Sequence, residues 1–121
     1  MSIRTAIAAV ATGAAVLGLA LPAQALPSVY LYTAPTLTAC TQAGNNGTAG
    51  SVFSSFHCQN GVTGYSLSVI PTTNHFTDVY IATFLTLAES DTAGTNGVSG
   101  GAWTSYRNRS GVAGYDLLVS R

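Results

Sequence analysis

The 121-residue chain contains no lysine, and four arginines stand against four acidic residues, for a formal net charge of zero. That poverty excludes classes of partner. Neutralising nucleic-acid phosphates takes a basic stripe, which is missing. So is the polybasic face that holds a protein on an anionic membrane surface. The shortage is also uneven: from Leu26 to Thr77 there is no Asp, Glu, Lys or Arg at all. Cysteine is confined to Cys40 and Cys58, too few for a zinc site even with a histidine added. The residues imply no cofactor and no metal. The apolar run from Thr5 to Leu21 falls short of the ~20 residues of a membrane span, and nothing later approaches that length, so no membrane insertion is expected. Beyond residue 25 no segment shows a convincing helical period.

What the first 25 residues do contain is a processing signal. Arg4 supplies one positive charge, Thr5–Leu21 is uncharged, and Pro22 precedes the small-x-small site Ala23-Gln24-Ala25. This is the pattern of a secretory signal peptide, residues 1–25, and it places the mature chain outside the cell. Residues 26–121 suffice for one domain and not for two independent cores. Lysine-free, Ala/Gly/Thr-rich usage is that of a GC-rich bacterial genome. Export into an oxidising compartment makes a Cys40–Cys58 disulfide the natural pairing, worth about 3 kcal/mol in the chain-entropy model.

The mature part is one unit written twice. At a constant offset of 50, residues 29–69 and 79–119 are identical at 17 of 41 positions, with 70–78 as connector. Val29-Tyr30 answers Val79-Tyr80, and Gly61-Val62-x-Gly64-Tyr65 answers Gly111-Val112-x-Gly114-Tyr115. Alternation of period two runs through Val79, Ile81 and Thr83, and again through Tyr65, Leu67, Val69 and Tyr115, Leu117, Val119. Asn46-Gly47, Asn60-Gly61, Asn96-Gly97 and Ser110-Gly111 read as tight turns. These patterns predict an all-β fold, a small sandwich or barrel of two pseudo-two-fold-related repeats of three to four strands each.

Trp103-x-x-Tyr106 followed by Gly114-Tyr115-Asp116-Leu117 resembles the Greek-key motif of the βγ-crystallin superfamily, which also pairs two motifs of about this length. The resemblance implies a two-motif β domain, and some secreted bacterial members are protease inhibitors or toxins. It departs in the Tyr106–Gly114 spacing, which is longer by one residue than the usual pattern, and in lacking the second aromatic that normally precedes that glycine. It does not extend to calcium, because Asn45-Asn46-Gly47-Thr48-Ala49-Gly50 lacks the paired Ser/Thr that the signature requires.

No residue set specifies a reaction, so a non-catalytic role is expected. His75 and Asp78 would need to converge on a serine, and no Gly-x-Ser-x-Gly elbow frames one. Glu89 and Asp91 are more simply a solubilised turn than a glycosidase pair. Two features point to binding. The uncharged first repeat, opening on Val29-Tyr30-Leu31-Tyr32, could pair edge-on with another chain, in a homo- or hetero-oligomer. Alternation also sets Phe53 and His57, and in the second copy Trp103 and Arg107, on an outward face with Tyr106 and Arg109 nearby, an aromatic-plus-cation display. If a bulge reverses the parity, Trp103 is core, and Phe56 and Tyr106 are the exposed members. The sequence thus predicts a secreted protein that engages another secreted or cell-surface protein. It would act as an adaptor, or as an inhibitor using the Gly44–Gly50 or Arg107–Ser110 turn; a lectin-like module resting on Trp103 and the tyrosines is the alternative.

Overall fold

Each repeat opens on a β-branched and aromatic run suited to a pleated strand: β1 spans Val29–Ala34 and β4 spans Val79–Phe84. The structure is a computed structural model and describes residues 27–121; the expected signal peptide lies outside the described residues. After each strand comes a helix, α1 over Leu37–Ala49 and α2 over Leu87–Gly100, and then a hairpin. The hairpins are β2 (Phe53–Asn60) with β3 (Tyr65–Pro71), and β5 (Ser105–Gly111) with β6 (Gly114–Ser120).

The all-β expectation is therefore corrected: each repeat is β-α-β-β. Thr36 and Thr86 cap the helices by accepting from the N–H groups of Ala39 (3.1 Å) and Glu89 (3.2 Å). The buried stripe of α1 is Cys40, Ala43, Gly44 and Gly47, and that of α2 is Ser90, Ala93, Gly94 and Gly97. That spacing is helical, yet its members are small or weakly apolar, so a search for large apolar residues passes over it. Asn46-Gly47 and Asn96-Gly97 lie inside helices rather than at turns. Glycine stands there because an aromatic ring takes the place of a side chain. A Cβ on Gly47 would fall 2.1 Å from the Phe53 ring, and one on Gly97 2.1 Å from the Trp103 ring.

Two antiparallel three-stranded sheets result, ordered β1-β3-β2 and β4-β6-β5. They are compatible with a sandwich-like arrangement. At the hairpin ends Gly64 and Gly114 adopt φ of 144° and 141°, where a side chain would strike the carbonyls of Ala34 and Phe84. Each helix packs on the second strand of its own repeat and on the first strand of the other, α1 on β2 and β4, α2 on β5 and β1. Leu31, Phe53, Leu67 and Val69 thereby join Ile81, Trp103, Leu117 and Val119 in one core, with the Phe53 and Trp103 ring centres 6.3 Å apart.

The repeats also exchange hydrogen bonds. Leu31 and Ile81 are bulge residues that the strand ladders skip. Their carbonyls instead accept from Asn96 Nδ2 (2.8 Å) and Asn46 Nδ2 (2.9 Å), each from the other repeat's helix. Within repeat one, the Cys40–Cys58 disulfide ties α1 to β2, with Cα atoms 6.1 Å apart. At the equivalent place in repeat two, Ser90 Oγ donates to Asn108 Oδ1.

Candidate functional site

The residues expected to form an aromatic-plus-cation face do not assemble. Phe53 and Trp103 are 2% and 1% exposed. The ladder slips between Phe53 and Ser55, so Phe53 and Phe56 both turn inward. Trp103 donates from its indole N–H to the Gly94 carbonyl at 2.9 Å, which leaves it no polar atom for a ligand. Phe56 and Tyr106 are half-buried beneath the helices rather than displayed. His57 is exposed on the outer face of sheet one beside Ser68.

Arg107 and Arg109 lie on the outer face of sheet two, and both are occupied. Arg107 pairs with Asp78 through Nε (3.0 Å) and Nη2 (3.1 Å). Arg109 holds Asp116 Oδ2 at 3.0 and 2.9 Å, while Thr83 donates to Asp116 Oδ1 at 2.6 Å. The hydrogen bond from Arg107 draws the Asp78 carboxyl below its ordinary range; those from Thr83 and then Arg109 do the same for Asp116. Neither segment proposed as an inhibitory loop protrudes, for Gly44–Ala49 is helix and Arg107–Ser110 is strand.

The opening strand is also rearranged relative to expectation. Val29 and Leu31 are core residues, Val29 packing against Gly100 and the Leu31 carbonyl taken by Asn96, so α2 covers that stretch of the β1 edge. Tyr30 and Tyr32 instead reach a groove of about 800 Å³ between β1 and β4. No Cα of β1 comes within 8 Å of a Cα of β4. Consecutive residues of both strands line the groove, Tyr32-Thr33-Ala34 and Ala82-Thr83-Phe84 among them, which means the strands present their edges to it. Gln42 and Asn46 of α1 and Glu89, Thr92 and Asn96 of α2 supply polar groups.

The groove sits where the repeats differ. Tyr32 meets Phe84 edge-to-face with ring centres 4.7 Å apart. Exchanging the repeats turns that pair into Ala82 and Ala34, and both alanines line the groove. Ala34 is 1% exposed and Ala82 half-buried, so the two rings on one side of the pseudo-two-fold axis have only small side chains as counterparts on the other. Burial, with a smaller contribution from Tyr80, pushes the Tyr32 phenol up to about 12, so it stays a neutral hydrogen-bonding group.

Of the residues that carried the catalytic alternative, Asp78 donates its backbone N–H to Ser120 Oγ at 2.9 Å. His75 Nδ1 lies 3.3 Å from the Arg121 carbonyl, and the Asp78 carboxylate is held by Arg107. Among the described residues no three His, Cys, Asp or Glu side chains are placed to hold a metal ion, and no helix is long and apolar enough to cross a membrane. The chain matches no family model, no curated protein and no solved structure. Nothing identifies a βγ-crystallin relationship. Sequence reasoning missed Ala34, Ala82, Phe84, Asn46 and Asn96. The signal was present as an aromatic and an alanine trading places at 32/82 and 34/84.

Proposed function

We propose that the chain is an exported, non-catalytic binding protein that takes an extended segment of another secreted or cell-surface protein into the groove between β1 and β4. The observation that carries this reading is the groove of about 800 Å³ between β1 and β4, lined by Tyr30, Tyr32 and Tyr80, at the place where the repeats exchange an aromatic for an alanine. Two strand edges flanking one groove suit an extended chain, whose backbone and alternate side chains such edges recognise. The disulfide supports an oxidising destination. An adaptor fits better than an inhibitor, since helix and strand occupy the two segments an inhibitor would use.

A protein ligand is favoured over a sugar by what surrounds the groove. Leu85 on its wall is 83% exposed, and Val62 and Val112 stand fully exposed at the hairpin tips. Val62 and Val112 are identical in the two repeats yet pack on nothing, and burying each against a partner would contribute about 1.5–3 kcal/mol. The test is selection from a random peptide library, with a glycan array in parallel. A34F/A82Y recreates on the alanine side the aromatic pair that the other side already tolerates. Because Ala34 is 1% exposed, Ala82→Tyr alone, at the half-buried alanine, is tested beside it; each variant that keeps a cooperative unfolding transition is expected to lose at least about tenfold in peptide affinity, or about 1.4 kcal/mol. Undiminished binding by A34F/A82Y, or binding to glycans alone, would reject the reading.

A further inference from the structure

The charges of the described residues are almost all spoken for. Asp78 pairs with Arg107, and Asp116 with Arg109. Asp91 accepts from Asn108 (2.6 Å) and Tyr106 (3.4 Å). Arg121 donates to the Gly101 carbonyl and lies 6.0 Å from the centre of the Phe76 ring. Glu89 is left. Its backbone N–H binds the Thr86 cap, but among the described residues its carboxylate has no ion-pair or hydrogen-bond partner. It is exposed, and it is the one charged side chain that lines the groove.

From this we infer that the groove selects a cationic segment: an extended peptide carrying a Lys or Arg side chain that reaches Glu89, with apolar or aromatic neighbours against Tyr32, Phe84 and Leu85. This rests on the groove reading above and adds the charge of the ligand. Three observations combine. The position equivalent to Glu89 in repeat one is Ala39, so the charge belongs to one side of the pseudo-two-fold axis only. The surrounding lining is neutral Thr, Asn, Gln, Tyr and Ala, which offers no competing cation. The Tyr30, Tyr32 and Tyr80 rings line the same groove and offer surface to the apolar neighbours of a basic residue. An anionic ligand meets a lone carboxylate and is disfavoured. A neutral one leaves that carboxylate to be desolvated without compensation.

The experiment selects a random heptapeptide phage library in parallel on the wild-type chain, on Glu89→Gln and on A34F/A82Y, and sequences the bound pools. Wild type is expected to enrich Lys and Arg at one position by at least fivefold over the input library, within a run of apolar residues. Glu89→Gln is expected to keep the apolar preference and lose the basic one. For a synthetic peptide from the wild-type pool, its affinity should fall about tenfold at low salt, and the difference should shrink at 0.5 M NaCl. A wild-type pool without basic enrichment, or the same enrichment on Glu89→Gln, overturns the cation proposal while leaving the groove standing. Equal pools from wild type and A34F/A82Y, or no binders at all, overturn both.

Discussion

A glycine inside a helix ordinarily costs about 1 kcal/mol relative to alanine, so replacing it in an exposed helix stabilises the protein. Gly97 reverses that sign. Its missing Cβ is where the Trp103 ring lies, 2.1 Å from an added carbon, and the ring is held by its own bond to the Gly94 carbonyl. Gly97→Ala is expected to destabilise by about 1–3 kcal/mol through overpacking, measured by urea denaturation; a gain would show that the ring can move aside. Tyr32 makes a second residue-scale prediction. Its phenol is raised to about 12 from 10.0, so between these values the unfolded chain releases the proton first. Its contribution is fully present below pH 10 and is lost as pH rises toward 12. Tyr32→Phe should flatten the alkaline fall in stability, and an identical fall in both proteins would mean that Tyr32 is not the group responsible.

Among the elements, the two helices join to their strands by different chemistry at the same place. Cys40–Cys58 does it covalently in repeat one, and Ser90 with Asn108 does it by hydrogen bond in repeat two. Removing the bridge with Cys40→Ser and Cys58→Ser is expected to cost about 2–4 kcal/mol, read by thermal unfolding. S90C/N108C should close a second bridge on oxidation and raise the midpoint, and a lowered midpoint would place the two junctions in different geometries. The bridge was legible because two cysteines in a chain expected to be exported leave one pairing. The duplication, the opening strands and the hairpin turns at Asn60-Gly61 and Ser110-Gly111 were legible as well. The helices were not. Leu37–Ala49 is poor in strong helix formers, and its inward stripe is Cys, Ala and Gly, so its stability comes from packing on β2 of its own repeat and β4 of the other. Thr86-x-x-Glu89 is a visible helix start, but Asn96-Gly97 further along carries the competing signature of a hairpin turn. The groove was harder to read. Its walls come from opposite repeats, and only the folded register shows that Tyr32 lies against Phe84.

At the scale of the whole molecule, the repeats are interlocked rather than merely adjacent. Each helix serves the other repeat's first strand, each bulge carbonyl is capped by the other repeat's asparagine, and the core is continuous. Asn46→Ala or Asn96→Ala strands one carbonyl and is expected to cost about 1–3 kcal/mol. Unfolding should remain a single transition in either variant, and calorimetry would contradict the interlock by resolving two. The uncharged outer face of sheet one, with Ser55, His57 and Gln59 exposed, is not covered by any of the described residues, so it is the competing surface for any partner. One measurement separates it from the groove. In an amide-resolved NMR titration of 15N-labelled residues 26–121 with a library-selected peptide, shifts are expected to concentrate in Tyr30–Ala34, Tyr80–Phe84 and the facing turns of α1 and α2. Shifts centred on Ser55–Gln59, with the groove amides unmoved, would contradict binding in the groove.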